Sequence, residues 1–319
     1  MTPSALDLAA IRAAHARIGP HVRRTPVLAN DELNAAAGAS IFFKCENLQQ
    51  VGAFKARGAT NAVFALDAAV AARGVCTHSS GNHGAALARA ARLRGIPATI
   101  VMPHNAPAVK VRNVESFGAR VVLCAPTQLA RESACDDIVR TTGATLIHPF
   151  TNFAVMAGQG TAALELLEEI PALDLVLCPV GGGGLLCGTA TVVKTLRPAA
   201  RVVAVEPLGA DDAAQSFRAG KIVPAERVDT IADGLRTTIG DENFAIIRER
   251  VDDVVTVTET EIVAAMRALW ENLRVIVEPS GAVPFAAIQA GRVAVENLRV
   301  GVILSGGNVD LDALPWLKK

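Results

Sequence analysis

The sequence predicts a doubly wound α/β fold, with parallel sheet covered by helices on both faces. Three observations predict it. Short β-branched apolar runs alternate along the chain with longer Ala- and Leu-rich stretches. The runs are continuously apolar, as strands buried on both faces are. Three of them end in loops of glycine, serine and asparagine, at the strand end where open α/β sheets bind ligands. The 319 residues, 51% of them apolar, are enough for one large domain or two ordinary ones with sizeable cores.

Taken in order, MTPSALDLAAIRAAHARIG reads as an amphipathic helix and lacks the apolar core of a signal peptide. IFFKCE is a strand followed by the helical KARGATNAVFAL. GVCTHSS precedes the helix GAALARAARLRG, and ATIVMP precedes PAVKVRNVESFG. ARVVLCA leads to ARESACDDIVRTTG, and LDLVLCPV leads to LLCGTATVVKTLR. RVVAVEP follows, and VGVILSGGN closes the series. No internal repeat, low-complexity tract or linker interrupts it.

Composition excludes several classes of function. Lys+Arg and Asp+Glu both number 31, which argues against a nucleic-acid groove or a polybasic membrane patch. No apolar run is long enough to span a bilayer. There is no tyrosine, so stacking on exposed bases is disfavoured. The six cysteines form no CxxC pair and no Cys/His cluster. Buried, reduced thiols and a cytoplasmic location are expected.

Gly181, Gly182, Gly183 and Gly184 follow an apolar run and open a helix at Leu185. Such a run lets successive backbone N–H groups converge on one anion, helped by the helix N-terminus. No lysine follows, so this is not a nucleotide P-loop. A dinucleotide site, and with it an NAD-dependent oxidoreductase, is a rival. Glu206 stands about 20 residues on, where a ribose-binding acid belongs. The spaced glycine triplet fails, because Leu186 and Cys187 fall where its third member should be. A ligand-free tight turn is the remaining alternative, although ordering four glycines is costly.

AFKARG places Lys55 at the start of a helix in an apolar setting. Burying a lysine is costly unless it is neutral or paired. Commitment to a carbonyl cofactor makes that cost useful. Together, ENLQQVGAFKARGA, SSGNHGAALA, PVGGGGLLCG, ADGLRTTIG and LSGGNVDL resemble the fold-type II pyridoxal-phosphate enzymes. Within these, they are similar to the serine racemase, serine/threonine dehydratase and 3-hydroxyaspartate dehydratase family. The five motifs agree in order and spacing from about residue 20 onward.

The resemblance implies a tryptophan synthase β-like fold. A small domain, 74–147, is inserted in a large one, 1–73 and 148–319, with pyridoxal 5'-phosphate between them. It implies that Lys55 forms the imine with the cofactor aldehyde and that Phe54 lies against the ring. Asn82 would meet the ring hydroxyl, and Gly181 to Gly184 with the Leu185 N–H would hold the phosphate. Ser305 would face the ring nitrogen, with Glu278 as an acid near the same edge. A neutral serine there, in place of a carboxylate, favours β-elimination over transamination.

Ser79, Ser80, Asn82 and His83 would receive the substrate carboxylate. Ser80 is also the expected second base, opposite Lys55, if the enzyme racemises serine. Thr237 and Arg236 border the substrate. Arg131 would meet a second carboxylate and select 3-hydroxyaspartate. Glu206, Ala210 and Asp212 would hold a divalent cation, Mg²⁺, Ca²⁺ or Mn²⁺, through hard oxygen ligands. A homodimer is implied as well. The expectation is an ammonia-lyase acting on a β-hydroxy amino acid, with serine racemase as the alternative.

Overall fold

The computed structural model describes residues 5–79, 81–225 and 228–317. It contains two sheets. The strands are β1 Val27–Leu28, β2 Ser40–Cys45, β3 Val75–His78, β4 Ala98–Pro103 and β5 Arg120–Cys124. They continue with β6 Thr145–Leu146, β7 Leu175–Pro179, β8 Arg201–Pro207, β9 Asp253–Val257 and β10 Arg299–Leu304. A six-stranded sheet has the order β1-β2-β10-β7-β8-β9, and a four-stranded sheet the order β5-β4-β3-β6.

Every pairing is parallel except β1 on β2, which is antiparallel. The expected parallel architecture therefore carries an antiparallel edge. The sequence reading passed over β1, β6 and β9. Two of these are only two residues long, and DVVTV in β9 interleaves polar with apolar side chains. An edge strand with one wet face need not be continuously apolar.

The large sheet is buried on both faces, and residue parity decides which side chain goes where. Val176, Cys178, Val202 and Ala204 join one core with the helices Leu8–Ile18, Phe153–Glu169 and Gly184–Leu196. Leu175, Leu177, Val203, Val205 and Val302 join the opposite core with Glu259–Leu273 and Pro279–Gln289. Each fully buried Val or Leu contributes roughly 1.5–3 kcal/mol. A third core, around Val75, Ile100, Met102 and Leu87, lies beneath the small sheet.

Local signals fix the helix ends. Asp7 accepts the Ala10 N–H at 2.7 Å, and Thr258 with Glu261 forms a capping box. No helix among the described residues is long and apolar enough to cross a membrane.

Candidate active site

Lys55 begins the helix Lys55–Phe64, and its first turn is held from behind. Arg57, wholly buried, donates Nε to Glu46 Oε2 at 2.7 Å and Nη2 to Glu165 Oε2 at 2.7 Å. Lys44 Nζ reaches the same Glu165 oxygen at 2.6 Å. Two cations face two carboxylates, so this buried group is charge-balanced. Removing any one member strands a charge in the interior, which typically costs about 3–5 kcal/mol. Desolvation opposes ionisation of Glu165, yet His15, Arg57 and Lys44 hold its carboxyl below the usual range.

The Lys55 side chain points the other way, half-buried. Its Nζ donates to Pro149 O at 3.0 Å and lies 5.1 Å from the centre of the Phe54 ring. No carboxylate pairs with it among the described residues. Loss of water lowers its pKa from 10.5 to about 8.

The Lys55 loop is stitched to the end of β10. Phe54 N donates to Ser305 O at 3.0 Å, and Gly307 N to Gly52 O at 2.9 Å. Ser305 is 3% exposed. Behind this seam sits Glu278, also 3% exposed. Its Oε1 accepts from Asn82 Nδ2 at 3.0 Å and its Oε2 from Asn308 N at 2.9 Å. Asn308 Nδ2 donates to Asn82 Oδ1 at 2.9 Å. Glu278 therefore braces Asn82 from behind. Burial, and then the charge of Asp233, raise its carboxyl to about 8.

The glycine loop follows β7, and its helix begins at Gly184, one residue earlier than the sequence suggests. Close neighbours leave no room for side chains. A Cβ on Gly182 would stand 2.3 Å from the Phe150 ring, and one on Gly181 3.0 Å from Thr237 Oγ1. Gly183 has φ +91°, which disfavours any L side chain. The N–H groups of Gly181 to Leu185 meet no backbone acceptor among the described residues. They are unpaired donors at the start of a 13-residue helix.

The segment His148–Thr151 joins the lysine to this cradle. Pro149 accepts from Lys55, Phe150 packs on Gly182 and Gly184, and Phe150 O accepts from Asn243 Nδ2 at 3.0 Å. The sequence reading missed this segment. HPFT carries no chemical motif, and only its place between a strand and a helix marks it.

His83 is 2% exposed, and its Nε2 meets Ile147 O at 3.1 Å. Desolvation, then Lys55, lower its pKa to about 3. His148 packs edge-on to His78 with ring centres 5.4 Å apart. Desolvation, then His78 and Lys55, lower the His148 pKa to about 4. Loss of water disfavours the charged form of all three imidazoles, and His83 and His148 also feel the charge of Lys55.

The other expected residues fall in several places. Ser79 follows the last residue of β3 and its Oγ accepts from Gly81 N at 3.4 Å, and Ser80 lies outside the described residues. Thr237 is exposed beside the glycine loop. Arg131 is partly exposed, contacts Thr127 O at 3.4 Å, and acts electrostatically on His78. Arg236 donates to Thr230 O at 2.9 Å, so it is engaged by its own loop.

Glu206 and Asp212 are both buried. Glu206 accepts from Ala213 N at 3.1 Å and Ala214 N at 2.9 Å, and Asp212 from Ile239 N at 2.8 Å. Desolvation raises Glu206 to about 9 and Asp212 to about 6, and Asp212 also pushes Glu206 upward. No group of three or more His, Cys, Asp or Glu suited to a metal occurs among the described residues. A cation here would rest on two carboxylates, the Ala210 carbonyl and water.

The cradle of unpaired N–H groups suits a phosphate monoester, and the depressed amine suits an aldehyde. The parallel sheets, the lysine and the glycine loop define a fold-type II pyridoxal-phosphate enzyme. The chain belongs to the pyridoxal-phosphate dependent enzyme family, whose model matches residues 18–306. It is 49% identical to a beta-hydroxyaspartate dehydratase of Paracoccus denitrificans (strain Pd 1222), over 95% of this chain and 96% of that one. It is 50% identical to a serine racemase of Arabidopsis thaliana, over 97% and 95%. The solved structure of maize serine racemase superposes with a TM-score of 0.95 at 48% identity, covering 98% of this chain and 96% of that one.

Proposed function

We propose that this enzyme dehydrates and deaminates a β-hydroxy amino acid, 3-hydroxyaspartate ahead of serine or threonine, releasing ammonia and a keto acid. The observation that carries the reading is the Lys55 amine, with its pKa lowered to about 8 beside a cradle of unpaired N–H groups. The cofactor, when bound, supplies an electron sink for the α-carbon. Lys55 Nζ would hold it and remove the α-proton; an amine near this pKa is a competent base at neutral to mildly alkaline pH.

Gly181 to Gly184 and Leu185 would hold the phosphate. Phe54 would cover one ring face, Asn82 would meet the ring hydroxyl, and Ser305 the ring nitrogen. Ser79, Ser80, Asn82 and Thr237 would orient the substrate. His83, neutral and tied to Ile147 O, would shape the loop that receives the carboxylate. Arg131 would pair with the distal carboxylate. The small sheet, with residues 74–147, would be a domain inserted in the rest, and the cofactor would lie between the two. A divalent cation at Glu206, Ala210 and Asp212, a homodimer and a cytoplasmic location complete the reading.

Likeness to serine racemases supports a second activity, inversion of serine with Ser80 as the opposing base. Ammonia and keto acid release, measured over the stereoisomers of serine, threonine and 3-hydroxyaspartate, tests both. Arg131→Ala should reduce kcat/KM for 3-hydroxyaspartate about 10–100-fold more than for serine, the worth of one charge-assisted pair. Equal losses would remove the distal-carboxylate role. No ammonia from any of the substrates would refute the lyase reading, and unchanged enantiomeric purity of serine would refute the racemase one.

A further inference from the structure

The face of the small sheet that points away from its core carries a feature the proposed reaction does not use. Register pairs Cys76 of β3 with Thr99 of β4, and Thr99 with Arg120 of β5. Their neighbours Val75, Ala98, Ile100 and Val121 belong to the core on the opposite face. Cys76 therefore faces the helix Gln128–Thr142, which presents Cys135 to it. Both residues are completely buried, and each thiol lies close enough to the other to act on its ionisation.

An open groove of about 400 Å³ runs between this helix and the sheet, lined by Thr99, Ala134 and Ile138 among others. Thr99 is the lateral neighbour of Cys76, and Ala134 precedes Cys135. Neither cysteine lines the groove itself; their neighbours Thr99 and Ala134 do.

We propose that Cys76 and Cys135 are a peroxide-sensitive dithiol that closes to a disulfide joining β3 to the helix Gln128–Thr142. The neighbouring Cys135 lowers the pKa of Cys76, while Cys76 and burial raise that of Cys135. Cys76 is thus the attacking thiolate and Cys135 the resolving thiol. In the first step a Cys76 S–O bond forms and the peroxide O–O bond breaks. The departing hydroxide takes a proton and leaves as water. In the second, Cys135 sulfur attacks Cys76 sulfur; the S–S bond forms, the S–O bond breaks, and the hydroxyl leaves as water with the Cys135 proton. The two sulfurs are oxidised by two electrons in all, and hydrogen peroxide is reduced to two waters.

The bridge touches the candidate active site at both ends. β3 runs straight into Ser79, and Arg131 lies one helical turn before Cys135. A disulfide needs sulfurs about 2.05 Å apart, so closing it draws the helix toward the strand. Misplacing substrate-positioning groups by about 1 Å costs up to ~100-fold in rate, and a loss of ~10-fold in turnover is expected here.

The test treats the pyridoxal-phosphate-loaded enzyme with near-stoichiometric hydrogen peroxide at neutral pH, then counts thiols and maps peptides without reduction. The expected result is loss of two thiols and one cross-linked pair of peptides holding Cys76 and Cys135, reversed by dithiothreitol together with the lost turnover. Cys124→Ala should keep the bridge. Cys135→Ala should abolish it and leave Cys76 as a sulfenic acid that dimedone traps. Should that variant fail to fold, the wild-type peptide map still decides. Free thiols at both positions, separate sulfinic acids, or a bridge through Cys124 would each overturn the proposal.

Discussion

Replacing Glu278 by glutamine should flatten the pH dependence of this enzyme's stability. Glu278 is 3% exposed. Its carboxyl is raised from 4.5 to about 8, first by loss of water and then by Asp233, while the Asn308 N–H, Asn82 and Lys110 pull it back. The native carboxyl keeps its proton up to about pH 8, whereas the unfolded chain releases it near 4.5. The native state therefore binds more protons across that window, and stability falls as pH rises through it, levelling off above. The gap, at 1.36 kcal/mol per pH unit, corresponds to roughly 5 kcal/mol.

Glutamine cannot ionise, so it removes this slope. It also sets an NH₂ against one of the two N–H groups that Glu278 accepts, a pH-independent cost of about 1–3 kcal/mol. The assay is denaturant unfolding of both holoenzymes between about pH 5 and about pH 9. The variant should be the less stable near pH 5 and should gain several kcal/mol relative to wild type by pH 9. Glu206 and Asp212 have the same sign but cancel in the difference. Parallel stability curves would refute the reasoning, because Glu278 would then have to be ionised throughout.

Gly182→Ala would put a methyl group 2.3 Å from the Phe150 ring. Overpacking of about 1–3 kcal/mol should weaken pyridoxal-phosphate binding about 10–100-fold in equilibrium dialysis; unchanged affinity would show that the loop is not the cradle. Lys55→Ala should abolish both turnover and the absorption band of the lysine-linked cofactor, and retention of either would end its assigned role. Added Mg²⁺ or Ca²⁺ should raise the melting temperature, since a cation would offset the burial that lifts Glu206 to about 9 and Asp212 to about 6 by stabilising their charged forms. A melting temperature indifferent to both cations and chelator would leave Glu206 as an acceptor for the helix that begins at Asp212, and Asp212 as an acceptor for the Ile239 N–H.

The elements legible from the primary structure were those whose residues speak for themselves. LDLVLCPV and RVVAVEP are apolar on both faces and became β7 and β8, near the middle of the large sheet. The glycine run announced a loop that no side chain may enter, and the packing of Phe150, Asn243 and Thr237 against it shows why. β1, β6 and β9 escaped because a short or half-wet strand is made by its partner. The cluster of three histidines escaped for a related reason. His78, His83 and His148 come from two distant segments and meet only in space.

Local chemistry settled the parallel α/β class and singled out Lys55 and the glycine run as candidates for the reactive amine and the anion loop, because backbone freedom, apolar continuity and helix termini are properties of neighbouring residues. Only the folded chain decided that Lys55 is depressed to about 8, that Glu278 is raised to about 8, and that Cys76 meets Cys135. Loss of water and contact between remote groups depend on what the rest of the molecule places around each atom, and no short stretch of sequence contains that.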